Sequence, residues 1–203
     1  FTNDALNMPA YQRVAAATDY DTAGFLPYLE FNGSTWSMST AAIDFSATDK
    51  MTVFAGVTKL SDAAAGAVVE LTTDPTSVAG SFAINGPGSA GAANYLFRSA
   101  GTAFASVNGG VTVAAPITNI VGLVADISAD QLTARVNGVA TNFSGNNQGS
   151  GNYANAAVFI GRRNNTSSPL NGRIYSLIVR GAASSASEIA ATEAWVNGKT
   201  AAY

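Results

Sequence analysis

The residues able to do chemistry in this chain are few, and their types exclude most mechanisms at once. Among 203 residues there is no histidine and no cysteine. Neither a Ser/His nor a Cys/His nucleophile can therefore be assembled, and thiolate and imidazole zinc sites are excluded as well. The four glutamates are Glu30, Glu70, Glu188 and Glu193, and none has a second acid two residues away on the same strand face. A retaining glycosidase needs a nucleophile and an acid about 5 Å apart, which this spacing does not supply. Glu188 and Glu193 belong to a helical segment near the C-terminus, where capping and solvation account for them. Asp126 and Asp130 flank "ISA" and read as turn residues. The expectation is a protein that is not an enzyme.

Polar residues suited to recognition gather in two loops instead. The stretch 144–153 carries Asn146 and Asn147 and ends at Tyr153, and the stretch 162–172 opens with Arg162 and Arg163 before Asn164 and Asn165. Arg162, Arg163, Arg173 and Arg180 are four of the ten basic residues. Guanidinium groups read carboxylates through paired N–H donors, and an aromatic ring stacks on the apolar face of a sugar. Asn146, Asn147, Tyr153, Arg162, Arg163, Asn164 and Asn165 are thus the candidate ligand-binding set, the alternative being a solvated loop and strand edge. Trp36 is another possible platform, but its place in an early strand points to the core or a sheet edge. Trp195 is expected to anchor the terminal helix.

The elements that must hold these loops read almost entirely as strands. "PYLEFNG", "WSMST", "MTVFAGVTKL", "GAVVELT", "GSFAI", "NYLFRS", "AFASV", "GVTVAA", "NIVGLVADI", "AVFIGRR" and "GRIYSLIVRG" recur at the spacing of sandwiches and barrels. No helical pattern alternates with them, so a βαβ plan is excluded. Six Asn-Gly pairs punctuate the chain, and both residue types tolerate the positive φ of tight hairpin turns. Four of the six lie close enough to β-type sequence to read as hairpin or strand-edge turns, most clearly in "LTARVNGVATNF". Only the tail changes character. Ser185 with Glu188 makes a capping box, Ile189, Thr192 and Val196 share one helical face with Trp195 at its edge, and Asn197-Gly198 is the expected stop. The preceding strand is apolar on both sides, with Ile174, Ser176 and Ile178 expected to point one way and Tyr175, Leu177 and Val179 the other. It needs cover on both faces, and the helix is placed to provide part of it.

Composition narrows the partners. Apolar residues make up 47% of the chain, enough for a sizeable core, while charged residues are only 11% against the roughly 25% usual for soluble domains. Net charge is −3 with three lysines, Lys50, Lys59 and Lys199, which argues against nucleic-acid binding. No apolar run is long enough to span a membrane. The start, "FTNDALNMPAYQRV", lacks a basic n-region and reads as a processed or trimmed start rather than a signal peptide. No linker separates two domains, so one domain over 1–203 is expected, with an N-terminal arm and first strand in 1–27 and the helix in 185–197.

The closing segment "AAVFIGRRNNTSSPLNGRIYSLIVRGAASSASEIAATEAWV" resembles that of laminin-G-like and pentraxin-like domains of the concanavalin A-like lectin/glucanase superfamily. The matching residues are Ile160-Gly161, Gly172-Arg173-Ile174 and Ser185 to Ile189. Upstream, "YLEFNGSTWSMST", "MTVFAGVTKL" and "DQLTARVNGVAT" are similar to that family's early strands and its hairpin, in family order from about residue 28 to residue 197. The resemblance implies an all-β jelly-roll sandwich of two antiparallel sheets, one concave, with a short C-terminal helix. Many members bind glycans on the concave face or its rim loops, others are structural, and some are glycosidases with clustered acids that this chain lacks. Calcium is bound by many relatives, but the loops "SGNNQGSGNY" and "RRNNTSSPLNG" hold no acid. Only Asp19 with Asp21 and Asp44 with Asp49 lie close in sequence, and plain turn capping is the alternative for them. No metal or other cofactor is expected. The ending "EAWVNGKTAAY" is similar to C-terminal domains of phage virion proteins, including tail fibres and capsid decorations. The resulting expectation is a lectin-like module on a virion surface, extracellular, binding a glycan or surface polysaccharide beside other virion proteins, and trimeric if borne on a fibre. The alternative is a structural decoration domain acting through protein contacts without a sugar ligand.

Overall fold

Short alternating or wholly apolar runs, closed by turn residues, become thirteen strands among the described residues. The computed structural model describes residues 8–12 and 26–203, so most of the expected 1–27 arm, with Asp19 and Asp21, lies outside the described residues. One sheet has seven strands in the order β1 (Ala10–Gln12), β2 (Tyr28–Asn32), β13 (Asn171–Arg180), β4 (Lys50–Lys59), β9 (Ile117–Asp126), β10 (Gln131–Val136) and β11 (Val139–Phe143). The other has six, in the order β3 (Met38–Asp44), β12 (Asn155–Ile160), β5 (Ala67–Leu71), β6 (Ser81–Asn85), β7 (Asn94–Ala100) and β8 (Val107–Thr112). Among the described residues every pairing is antiparallel, and a long helix, α1, spans Ala186–Thr200. This is the all-β jelly-roll sandwich with a C-terminal helix.

Period-two alternation decides what fills the space between the sheets. Val53, Val57, Val121, Leu123 and Leu132 from the seven-stranded sheet meet Leu71, Phe82, Ile84, Tyr95 and Phe97 from the other, all fully or almost fully buried. Burying such side chains stabilises the fold by about 1.5–3 kcal/mol each relative to leaving them in water. β4 and β9 are buried on their outer faces too. Phe54 and Ile120 there form a second apolar cluster with Val196 of α1, joined by Ile178 and Ile189. Gly122 is required at this layer, because a Cβ on it would overlap the Phe54 ring.

Three expectations about the tail are corrected. A bulge between Ile174 and Ser176 shifts the parity of β13, so Ile174 joins Leu177 and Val179 in the inter-sheet core while Ile178 turns to the helix. A bulge adds one residue to one strand, which flips every side chain beyond it. The helix also runs through Asn197-Gly198 and ends at Ala201, which takes a left-handed conformation with φ 48° and bonds back to the Asn197 carbonyl. Asn197 caps from its side chain, its Oδ1 accepting the backbone N–H of Ala202 at 2.9 Å. Trp195 is 52% exposed. It does not anchor α1; the buried helix residues are Glu193, Val196 and Thr200. Glu193 receives both Nε and Nη2 of Arg135, at 2.7 and 3.0 Å, tying the helix to β10.

The N-terminal cap of α1 follows the sequence. Ser185 Oγ accepts the Glu188 N–H, and Glu188 Oε2 accepts the Ser185 N–H at 2.8 Å, while Arg180 donates to Oε1 at 2.8 Å. The Ser185 backbone N–H is the largest influence holding the Glu188 carboxyl well down, at about 2, with Arg180 next. A folded-state pKa below the ordinary 4.5 adds stability that is fully present above pH 4.5 and lost as pH falls toward 2. Glu188→Gln is accordingly expected to flatten the fall of melting temperature across that acid window. Thermal unfolding at a series of pH values checks this, and parallel slopes for the two proteins would rule it out.

At the far end of β4 a charge is enclosed rather than solvated. Lys59 is wholly buried. Its Nζ donates to the carbonyls of Val113 and Asn94 at 2.6 and 3.1 Å, pairs with Asp62 at 2.5 Å, and lies 4.9 Å from the Tyr95 ring centre. Asp62 also accepts the Ala115 N–H at 2.7 Å. Burial alone would raise its carboxyl, but Ala115 and Lys59 outweigh that and hold it below the usual carboxylate range. One ammonium thereby joins the ends of β4, β7 and β8.

Among the hairpins, Asn137-Gly138 is the two-residue turn read from the sequence, with φ of 49° and 78° as a type I′ turn requires. Asn108-Gly109 instead lies inside β8, and Asn197-Gly198 inside α1.

Candidate functional site

The outer face of the six-stranded sheet carries one continuous row of paired residues. Ser39 lies opposite Phe159, Phe159 opposite Glu70, Glu70 opposite Ala83, Ala83 opposite Arg98, and Arg98 opposite Asn108. Directly opposed residues in antiparallel strands share a face, so an acid and a guanidinium stand in this row with only the small Ala83 between them. β5 reads "AVVEL" and every residue in it is buried. A buried carboxylate must be paired, and Glu70 is. Arg163 donates Nε to Oε1 and Oε2 at 3.2 and 3.0 Å and Nη2 to Oε1 at 2.8 Å, while Asn85 Nδ2 donates to Oε1 at 2.8 Å.

Arg163 reaches the sheet from the loop between β12 and β13, whose backbone is left-handed at Gly161, Asn164, Asn165 and Ser168. Asparagine tolerates that conformation better than most residues, which gives Asn164 and Asn165 a conformational role that sequence reading assigned to ligand contact. Asn165 folds back over the sheet: its Nδ2 donates to Ser39 Oγ at 3.2 Å, and its buried Oδ1 has no hydrogen-bond partner among the described residues. Arg162 is spent on its surroundings, with Nη2 donating to the Thr166 carbonyl at 2.8 Å and Nη1 to that of Thr35 at 3.4 Å. A third arm comes from the β5–β6 connection. Arg98 Nε donates to the Pro75 carbonyl at 2.7 Å and Nη2 to that of Thr76 at 3.2 Å. Asp74 receives Thr76 and Ser77.

The charges in this cluster sense one another. Burial is the largest influence pushing the Arg98 guanidinium down, with Asp74 pulling it up and the like charge of Arg163 pushing it further down. Arg163 is raised, chiefly by its bond to Glu70. Burial works to raise Asp74, but its hydrogen bonds from Thr76 and Ser77 and the Arg163 charge carry it below the usual range. Among the described residues, neither Arg98 nor Arg163 uses Nη1 in a hydrogen bond. Two neighbouring guanidinium groups, each locked by its other nitrogens, therefore keep donor capacity for an anionic or polyhydroxyl ligand.

The other predicted residues are elsewhere. Tyr153 is 1% exposed, with its hydroxyl 2.7 Å from Ser99 Oγ and its ring edge-on to Phe82. It is a core residue and not a stacking platform, because the chain after the polar loop turns inward, Tyr153 N–H bonding the Thr48 carbonyl. Burial raises its hydroxyl far above the ordinary tyrosine value. Asn146 and Asn147 are exposed on the 144–152 loop at the end of the sandwich, Asn147 Oδ1 accepting the Gly149 N–H. Trp36 is half-buried against the core. Glu70, Asn85, Asp74 and Arg98 were missed, although a lone glutamate inside an apolar strand was a usable signal.

No three acids among the described residues gather into a metal site. Asp44 caps Ser46 at 2.9 Å, and Asp49 and Asp126 converge on the Lys50 ammonium at 3.2 and 2.8 Å. A calcium ion needs six to eight oxygens, and these residues do not fit one. An apolar cleft of about 330 Å³ also opens between the β1–β2 and β3–β12 edges, lined by Tyr11, Pro27, Met38, Ile160 and Leu177. Among the described residues none of those lining it is charged.

No protein-family model and no curated protein matches this sequence. Solved structures share its fold. The CBM40 of the Ruminococcus gnavus IT-sialidase aligns over 77% of this chain and 98% of its own, with TM-score 0.53 and 15% identity. The same module bound to α2,3-sialyllactose aligns over 79% and 99%, with TM-score 0.53 and 16% identity. The binding domain of botulinum neurotoxin DC, in complex with SialylT, aligns over 93% of this chain with TM-score 0.64 and 7% identity; the chain spans 45% of that domain. At these identities the likeness is one of fold: a lectin-like β-sandwich.

Proposed function

We propose that this chain is a non-catalytic glycan-binding module, and that it grips an acidic sugar on the outer face of its six-stranded sheet. The observation that carries this reading is the Arg98–Arg163 pair, two guanidinium groups close enough for their charges to interact, each with an unspent Nη1 donor. A carboxylate is what paired planar donors recognise. Support also comes from the fold shared with modules seen bound to sialyllactose. Glu70 is a poor candidate for an acid or nucleophile, since Arg163 and Asn85 occupy its oxygens. The test is calorimetric titration with 3′-sialyllactose against lactose. The sialylated sugar binds more tightly, added salt weakens it, and Arg98→Ala reduces affinity at least about tenfold while Arg98→Lys recovers only part. Equal binding of both sugars, or an Arg98→Ala protein that binds as wild type, sinks the reading.

The concanavalin A-like assignment and a virion-surface setting beside other virion proteins, with a fibre-borne trimer, form the outer layer of this proposal. They are supported by the tail sequence from Ile160 to Tyr203, and the low charge is compatible with the setting. Mass determination in solution and labelling of intact particles test them. A strictly monomeric protein absent from particles would remove the trimer and the virion setting.

A further inference from the structure

Phe104 stands at the tip of the β7–β8 connection in two unfavourable conditions at once. Its backbone is left-handed, with φ 64°, a region that bulky residues avoid on steric grounds. Its side chain is 80% exposed, so no burial offsets that strain. The turn is nonetheless fixed. Gly101 and Thr102 N–H groups both donate to the Gln148 carbonyl, at 2.8 and 3.0 Å, and Ala105 N–H to the Thr102 carbonyl at 3.1 Å. Thr102 Oγ1 exchanges hydrogen bonds with the Ser150 backbone at 3.0 and 3.2 Å. Gln148 is itself a buried peg, its Nε2 donating to the carbonyls of Asp126 and Gln131. Strained residues held this firmly concentrate at ligand sites.

The same bonds lay the Phe104 turn beside the 144–150 loop, which presents the exposed amides of Asn146 and Asn147. Neither 101–106 nor 144–152 contains a charged residue. We propose that Phe104 is the stacking platform of a second saccharide site, selective for a neutral hexopyranose, with Asn146 and Asn147 hydrogen-bonding its hydroxyls. The ring offers an apolar face to the axial C–H groups of a sugar, and the amides offer both donors and acceptors. Absence of lysine and arginine disfavours an anionic lipid surface, which one aromatic residue alone anchors poorly. The site is independent of the acidic-sugar reading of the sheet face.

The test titrates lactose, cellobiose, maltose and mannobiose against isotope-labelled protein, following the Phe104 ring and the Asn146 and Asn147 amide resonances. At least one disaccharide is expected to give saturable shifts at all three. Phe104→Gly, which relieves the left-handed strain and raises the melting temperature, abolishes the shifts of the Asn146 and Asn147 amides; Phe104→Trp retains them. Arg98→Ala leaves them intact, which separates this site from the sheet face. The proposal fails if none of the four sugars gives saturable shifts, if Phe104→Gly still gives them, or if phosphatidylserine vesicles capture the protein in a Phe104-dependent way.

Discussion

Replacing Lys59 with methionine lowers the unfolding free energy by about 3 kcal/mol, because removing one partner of a buried ion pair leaves the rest uncompensated. Methionine fills much of the space of the lysine stem but donates nothing. The carbonyls of Val113 and Asn94 lose their shared donor, and Asp62 keeps only the Ala115 N–H. For a chain of this length the loss corresponds to a fall of roughly 6–12 °C in melting temperature. Urea unfolding should show a lower midpoint with an unchanged slope. Pairing Lys59→Met with Asp62→Leu recovers part of the loss, since no carboxylate then remains to be desolvated. A Lys59→Met protein within 0.5 kcal/mol of wild type, a margin typical of surface substitutions, would show that the ammonium is not structural.

The second large effect is at the sheet face. Arg163→Met strips three hydrogen bonds from a carboxylate with no exposed surface, leaving Asn85 as its sole partner among the described residues. The expected cost is again about 3 kcal/mol. Glu70→Gln in the same protein removes the uncompensated charge and returns much of the loss, so the double-mutant cycle reports a strong coupling. Additive effects of the two substitutions would contradict the pairing. Arg98 behaves differently, because its charge is shared between two carbonyls and the Asp74 field rather than a buried acid. Its truncation is therefore the cleaner probe of ligand binding, and Arg163 the probe of the scaffold beneath.

Much of the architecture was legible from local pattern. The type I′ hairpin at Asn137-Gly138, the ten-residue strands β4 and β9, and the Ser185–Glu188 cap all rest on neighbours within a few residues, and the sequence displays such neighbours directly. What was missed depends on contacts across the fold. Glu70 and Arg163 are 93 residues apart, and neither residue type alone says that they meet. Tyr153 follows a polar loop and so looked exposed, yet its hydroxyl pairs with that of Ser99, from a distant strand, inside the core. The bulge in β13 needs no special residue at Ile174 or Tyr175, so alternation was carried straight through a point where the ladder shifts. Phe104 fell inside "AFASV", which reads as strand by composition, while its left-handed backbone is visible only in the folded chain.

The strand order β2-β13-β4 has a consequence for how the molecule is made. Residues 171–180 fill a gap between segments 28–32 and 50–59 that leave the ribosome more than a hundred residues earlier. Until then, β4 has a hydrogen-bonding edge on that side with no neighbour, and its apolar outer face has no helix to cover it. Unpaired, hydrophobic edges recruit other chains. The nascent protein is thus most vulnerable to aggregation until β13 and α1 have both been made, and a stop codon placed just before Asn171 should yield insoluble material rather than a smaller sandwich.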